Sequence, residues 1–91
     1  MEVLFTTLFR SDVKKIKSQN KTDVLNDILE AIENMEEAES LEEIRELKML
    51  NRAKNSYRVR INKYRICFRL MRGKIKLYRV GHRDIVYKTF P

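Results

Sequence analysis

From Ser56 to Tyr87 the chain reads SYRVRINKYRICFRLMRGKIKLYRVGHRDIVY, apolar and charged residues alternating at period two. That period predicts half-buried β-strands. Tyr57, Val59 and Ile61 share one face of a first run, and Arg58 and Arg60 the other. In the next run Tyr64, Ile66, Phe68 and Leu70 oppose Arg65, Cys67 and Arg69. Asn62-Lys63 and Arg72-Gly73 supply two-residue turns, Gly73 accepting positive φ. These turns pair Ile61 with Tyr64, Val59 with Ile66, Tyr57 with Phe68, Leu70 with Ile75 and Phe68 with Leu77. A slip of one residue would turn the whole apolar set outward. In the last strand, Lys74 to Val80, Arg79 falls on the core side, so a bulge or strand end is expected near Gly81.

The first half switches to helical spacing. Val3-Leu4-Phe5 with Thr6-Thr7 reads as a short strand. Ser11 is placed to cap a helix over 12–19, with Val13 and Ile16 buried. Thr22 is placed to cap a longer helix, where Leu25, Ile28, Leu29, Ile32 and Met35 form one stripe up to about Glu37. Ser40-Leu41-Glu42-Glu43 fits a capping box and a helical turn through Ile44 and on toward Leu47, and Asn51–Asn55 reads as a polar connector. The tail from His82 to Phe90 predicts a short helical turn before Pro91. The expected architecture is α+β, one domain over 1–91 in the order β-α-α-β-β-β. A helical hairpin covers one face of an antiparallel sheet and leaves a basic face open.

Charge sharpens that picture. Of the net +7, residues 1–55 contribute −3 and residues 56–91 contribute +10, with Asp84 the one acid in the second part. The register sets Arg60 across from Arg65 and Arg69 across from Lys76, and like charges facing across strands destabilise a sheet. A polyanion on that face would neutralise them, making nucleic acid the expected ligand; a basic face kept for solubility is the competing reading. Arg58, Lys54, Lys63, Arg69 and Lys76 are the candidate RNA contacts. The acids along the second helix, Asp23, Asp27, Glu30, Glu33 and Glu36, read as a solvated face.

Other chemistry is sparse. The chain has no Gly-rich phosphate loop, no CxxC or HExxH, and a single His, which argues against metal and Ser-His-Asp catalysis. One cysteine forms no internal disulfide, and no apolar run reaches the ~18 residues of a membrane span. A basic signal-peptide region is missing as well, so a cytoplasmic protein with no membrane partner is expected. Arg58, Arg60 and Arg65, with His82, Arg83 and Tyr87 past the last strand, suit metal-free RNA cleavage. In that reaction the 2′-hydroxyl attacks the adjacent phosphate, a base and an acid move protons, and cations stabilise the transition state.

The segment SYRVRINKYRICFRL and the ending RVGHRDIVYKTFP resemble the RelE/ParE superfamily of bacterial toxin–antitoxin toxins, closer to the RelE branch. The resemblance implies a RelE-like, microbial-RNase-like fold. It also implies an mRNA interferase that cuts mRNA in the ribosomal A site, against ribosomal RNA, with neither metal nor cofactor. A cognate antitoxin would hold it inactive. Carried over from the family are Arg60, Arg65, Arg83 and Tyr87, with Arg58 at the companion second-strand position; His82 completes the candidate catalytic set. RelE has lysines where Arg58 and Arg60 stand, and one of them is its proposed base. Arginine stays protonated, so His82 is the expected substitute. The alternatives are a ParE-like inhibitor of DNA gyrase and a non-catalytic RNA- or ribosome-binding module. The oligomeric state is left open.

Overall fold

A computed structural model of the chain describes residues 1–51 and 53–90. Arg52, within the expected connector, and Pro91 lie outside the described residues. The elements are β1 (Val3–Phe5), α1 (Thr7–Ser18), α2 (Thr22–Glu37), a 3₁₀ turn (Leu41–Glu43), β2 (Leu47–Met49), β3 (Ser56–Ile61), β4 (Tyr64–Met71), β5 (Lys74–His82) and a second 3₁₀ turn (Val86–Lys88). The β3-β4-β5 meander has the expected register, including Arg60 opposite Arg65 and Arg69 opposite Lys76. Arg72 and Gly73 both take positive φ, as a type I′ hairpin turn requires.

The sheet is mixed rather than antiparallel: its order is β1-β5-β4-β3-β2, and β1 runs parallel to β5. A three-residue strand shows the same alternation read either way, so its pattern carries no direction. β2 is likewise too short to show a period. It lies antiparallel to β3, with Leu47 matched to Val59, where a continued helical turn was expected.

The helix starts differ too. Thr6 caps α1, its Oγ1 accepting the Phe9 N–H at 3.1 Å and donating to the Leu77 carbonyl at 2.8 Å. Ser11 lies inside the helix, whose buried anchors are Phe9 and Ile16. Thr22 is the first residue of α2, and its N-cap, Lys21, makes no side-chain capping bond. Nor does Ser40 cap the 3₁₀ turn that follows α2. Ile28 and Met35 of α2 join Phe9, Ile16, Val59, Ile66, Phe68, Ile75, Leu77 and Val80 in the main core, while Leu29 is 57% exposed. Burying each large apolar side chain stabilises the fold by about 1.5–3 kcal/mol.

The irregularity in β5 falls earlier than Gly81. Cys67 pairs with Arg79 and Phe68 with Leu77, so Tyr78 is the extra residue of a bulge. The bulge resets the alternation and returns Val80 to the core. Past the end of β1, Asp12 of α1 takes the place of the missing strand. Its carboxylate accepts the Val80 N–H at 3.0 Å and grips Arg79 at 2.8 and 3.0 Å.

The basic face is not fully open. Val86 and Phe90 fold back over Cys67 and, with Leu50, Tyr78 and Tyr87, form a second apolar cluster. Among the described residues no helix is long and apolar enough to cross a membrane.

Candidate functional site

Cross-strand pairing fixes the rows of the face that carries the arginines. One row is Arg60, Arg65, Gly81; the next is Lys48, Arg58, Cys67, Arg79; the third is Ser56, Arg69, Lys76. The opposed cations are drawn apart to separate partners. Arg60 meets the Glu46 carboxylate at 2.8 Å, and Arg58 donates to the Glu46 carbonyl at 2.7 Å. Arg65 donates to the carbonyls of Asn62 and Tyr64 at 2.7 and 2.9 Å. Arg69 donates to the Ser56 hydroxyl at 3.4 Å, and Lys76 stands over the Tyr78 ring at 5.5 Å. The Arg60–Glu46 pair is exposed and contributes little to stability, about 0.2–1 kcal/mol.

At the Asn62-Lys63 end of the sheet lies a cavity of about 670 Å³, lined by Val24, Glu46, Arg60, Asn62, Lys63, Tyr64, Arg65 and Arg83. Four cations face one carboxylate there. Arg83 is held beside it by its N–H, which donates to the Lys63 carbonyl at 2.8 Å. A second hollow of about 250 Å³ lies next along the face, between Lys48, Leu50, Arg58 and Tyr87. Burial pushes the Tyr87 phenol above its ordinary pKa, outweighing the pull of Arg58 and Arg65; Arg65 is also its hydrogen-bond partner. Arg65, which lines the first hollow, therefore reaches the tyrosine that lines the second.

The other candidates fall elsewhere. Arg69 and Lys76 share the row of Ser56, and Lys54 lies just before it; Ser56 to Ile61 spans about 16 Å of strand. His82 pairs with Tyr64, its ring edge-on to the tyrosine at 5.8 Å, on the side of the sheet that carries the helices. Its Nδ1 accepts the Asp84 N–H at 3.2 Å and lies 3.4 Å from the Asp84 carboxylate. It lines a separate hollow of about 210 Å³ with Asp12, Lys21 and Arg79. The geometry thus gathers Arg58, Arg60, Lys63, Arg65, Arg83 and Tyr87, and turns His82 away.

Burial also raises the Cys67 thiol, to about 12, which leaves it protonated and unreactive. No group of three or more His, Cys, Asp or Glu able to hold a metal occurs among the described residues. Glu46 and Asp12 went unmarked in the sequence. Glu46 sits at positive φ in an irregular link, and nothing in its neighbours signals that two arginines 12 and 14 positions later fold onto it.

Comparison with known proteins adds the family. The family model described as the ParE toxin of type II toxin–antitoxin systems, parDE, matches residues 3–87. The chain is similar to the toxin–antitoxin complex RelB-RelE of Methanococcus jannaschii, at 28% identity and a TM-score of 0.67, covering 97% of this chain and 99% of that one. It is also similar to the RelBE2 toxin–antitoxin complex of Mycobacterium tuberculosis, at 27% identity and a TM-score of 0.66, covering 90% and 96%. The YoeB dimer of Staphylococcus aureus shares the fold at 19% identity and a TM-score of 0.72, covering 91% and 97%. No curated protein matches. Both branch names thus occur, ParE for the family model and RelE for the two structures of higher identity. The chain belongs to the ParE toxin family of type II toxin–antitoxin systems, within the RelE/ParE superfamily.

Proposed function

We propose that this toxin is a metal-free endoribonuclease that cuts mRNA on the ribosome and so stops translation. The observation that carries the reading is Glu46. Among the described residues it is the one carboxylate in a cavity of four cations, and Arg58 and Arg60 hold it by its carbonyl and its carboxylate. Arg58 and Arg60 of β3 are poor bases, but here they position a carboxylate that can accept a proton.

In this mechanism Glu46 takes the proton from the 2′-hydroxyl, whose oxygen bonds to phosphorus. Arg60, Lys63 and Arg83 hold the non-bridging oxygens, and Arg65 stabilises the charge that grows in the pentacoordinate transition state. The bond from phosphorus to the 5′ oxygen breaks, and Tyr87, kept neutral by burial, delivers a proton to that oxygen. The products are a 2′,3′-cyclic phosphate and a 5′-hydroxyl. Lys54, Arg69 and Lys76, at the far end of the sheet, contact more distant phosphates of the message or of ribosomal RNA. No cofactor enters the scheme.

The RelE structures at 27–28% identity are complexes with antitoxins, which supports a cognate antitoxin for this chain too. An acidic segment of that partner suits the cationic cavity. The second reading, inhibition of DNA gyrase, is favoured by the ParE family model. Inducing the toxin in cells and mapping mRNA 5′ ends separates the two. New 5′ ends within translated codons support cleavage; intact messages with gyrase trapped on DNA support the second reading.

A further inference from the structure

The tail places Tyr87 by an unusual device. The bulge in β5 leaves Leu77 and Val80 in the core and turns Tyr78 to the opposite face. There the Tyr78 ring meets Phe90 at 5.8 Å, at an interplanar angle of 39°. Phe90 and Val86 are each only 4% exposed, and both pack on fully buried Cys67. Tyr87 stands between these two anchors, in a 3₁₀ turn closed by the Lys88 and Thr89 N–H groups on the carbonyls of Ile85 and Val86. Lys88 and Thr89 are exposed, so the buried anchors Val86 and Phe90 flank Tyr87, which is itself half-buried against the same cluster.

We infer that Phe90, docked on Tyr78, is a positioning residue that aims the Tyr87 hydroxyl at Arg65 and the reacting phosphate. The inference rests on the nuclease reading above and assigns the tail anchor a part in it. A displacement of about 1 Å at a reacting group lowers a rate roughly 10²-fold, so an anchor three residues away is enough to matter.

The test uses the full chain with Phe90→Ala, checked for folding by circular dichroism. Single-turnover cleavage of ribosome-bound mRNA at saturating substrate should fall about 10²-fold, and the half-saturating concentration should stay within about twofold. In a Tyr87→Phe background Phe90→Ala should cost nothing further. Independently of any cleavage, ultraviolet difference titration against the matching Tyr87→Phe chain follows the phenol. Freed from its burial, it should titrate closer to an ordinary tyrosine near ~10. A parent-like rate with an unmoved titration overturns the inference, as does a loss that multiplies with Tyr87→Phe. If the parent cuts no RNA, the nuclease reading fails and the titration alone decides the placement: moved upholds it, unmoved overturns it. Should Phe90→Ala not fold, Phe90→Leu replaces it, with the same two effects expected in smaller measure and the same refutation.

Discussion

Replacing Asp12 by alanine removes three hydrogen bonds at one stroke. Two run from Arg79 at 2.8 and 3.0 Å, and the third is the Val80 N–H at 3.0 Å. The side chains of Asp12 and Arg79 are 14% and 24% exposed, so water replaces the lost carboxylate poorly. An unsatisfied buried amide costs about 1–3 kcal/mol. Breaking a fully buried ion pair costs about 3–5 kcal/mol, and Arg79 at a sheet edge recovers part of that by turning to solvent. A loss of about 2–4 kcal/mol follows, a large share of the 5–15 kcal/mol typical of a domain. At roughly 4–8 °C per kcal/mol for this size, Tm should fall by about 8–32 °C. Thermal melts of the antitoxin-free chain at neutral pH measure it. Asp12→Asn keeps an acceptor for Val80 without the charge, and should lose about half as much. A drop below about 4 °C for Asp12→Ala, or equal drops for both variants, would refute the view of Asp12 as a substitute strand edge.

Four further outcomes are expected. Glu46→Gln should lower single-turnover cleavage by about 10²–10⁴, as loss of a general base does, and Arg65→Ala by about 10²–10³. His82→Gln should stay within about threefold, a barrier change of roughly 0.6 kcal/mol, because its ring lies on the helix side against Tyr64; a loss comparable to that of Glu46→Gln would restore it as the base. The Cys67 thiol is raised by burial to about 12, whereas the unfolded chain releases that proton near 9. The folded state therefore binds more protons above pH ~9, and stability should be level below that point and then fall by about 1.4 kcal/mol per pH unit. Tyr87, also raised, adds to the fall at higher pH. Urea midpoints across this range should drop in the parent and drop less in Cys67→Ala.

The meander was legible because the alternation of β3, β4 and the start of β5, joined by two-residue turns, leaves one register that buries the apolar side chains. β1 and β2, at three residues each, carry neither direction nor period, and the mixed sheet emerges only from their pairing. The start of α1 escaped because Ser11 offers a hydroxyl as Thr6 does. What distinguishes them is the Leu77 carbonyl waiting beside Thr6, a tertiary contact. The arginines of the site were visible as an unneutralised row, but the carboxylate among them comes from an irregular link. His82 looked close to Arg83 along the chain, yet β5 ends at His82 and Arg83 lies in the turn beyond, and the bulge at Tyr78 decides which face His82 takes.

The central claim is that Glu46 and Tyr87 move the protons of a metal-free phosphoryl transfer. It is tested most directly by incubating purified toxin with mRNA-programmed ribosomes and determining the chemistry of both new ends. The expected result is cleavage that leaves 2′,3′-cyclic phosphate and 5′-hydroxyl ends and is lost with Glu46→Gln. Ends bearing a 5′-phosphate, or no cleavage at all, would contradict it.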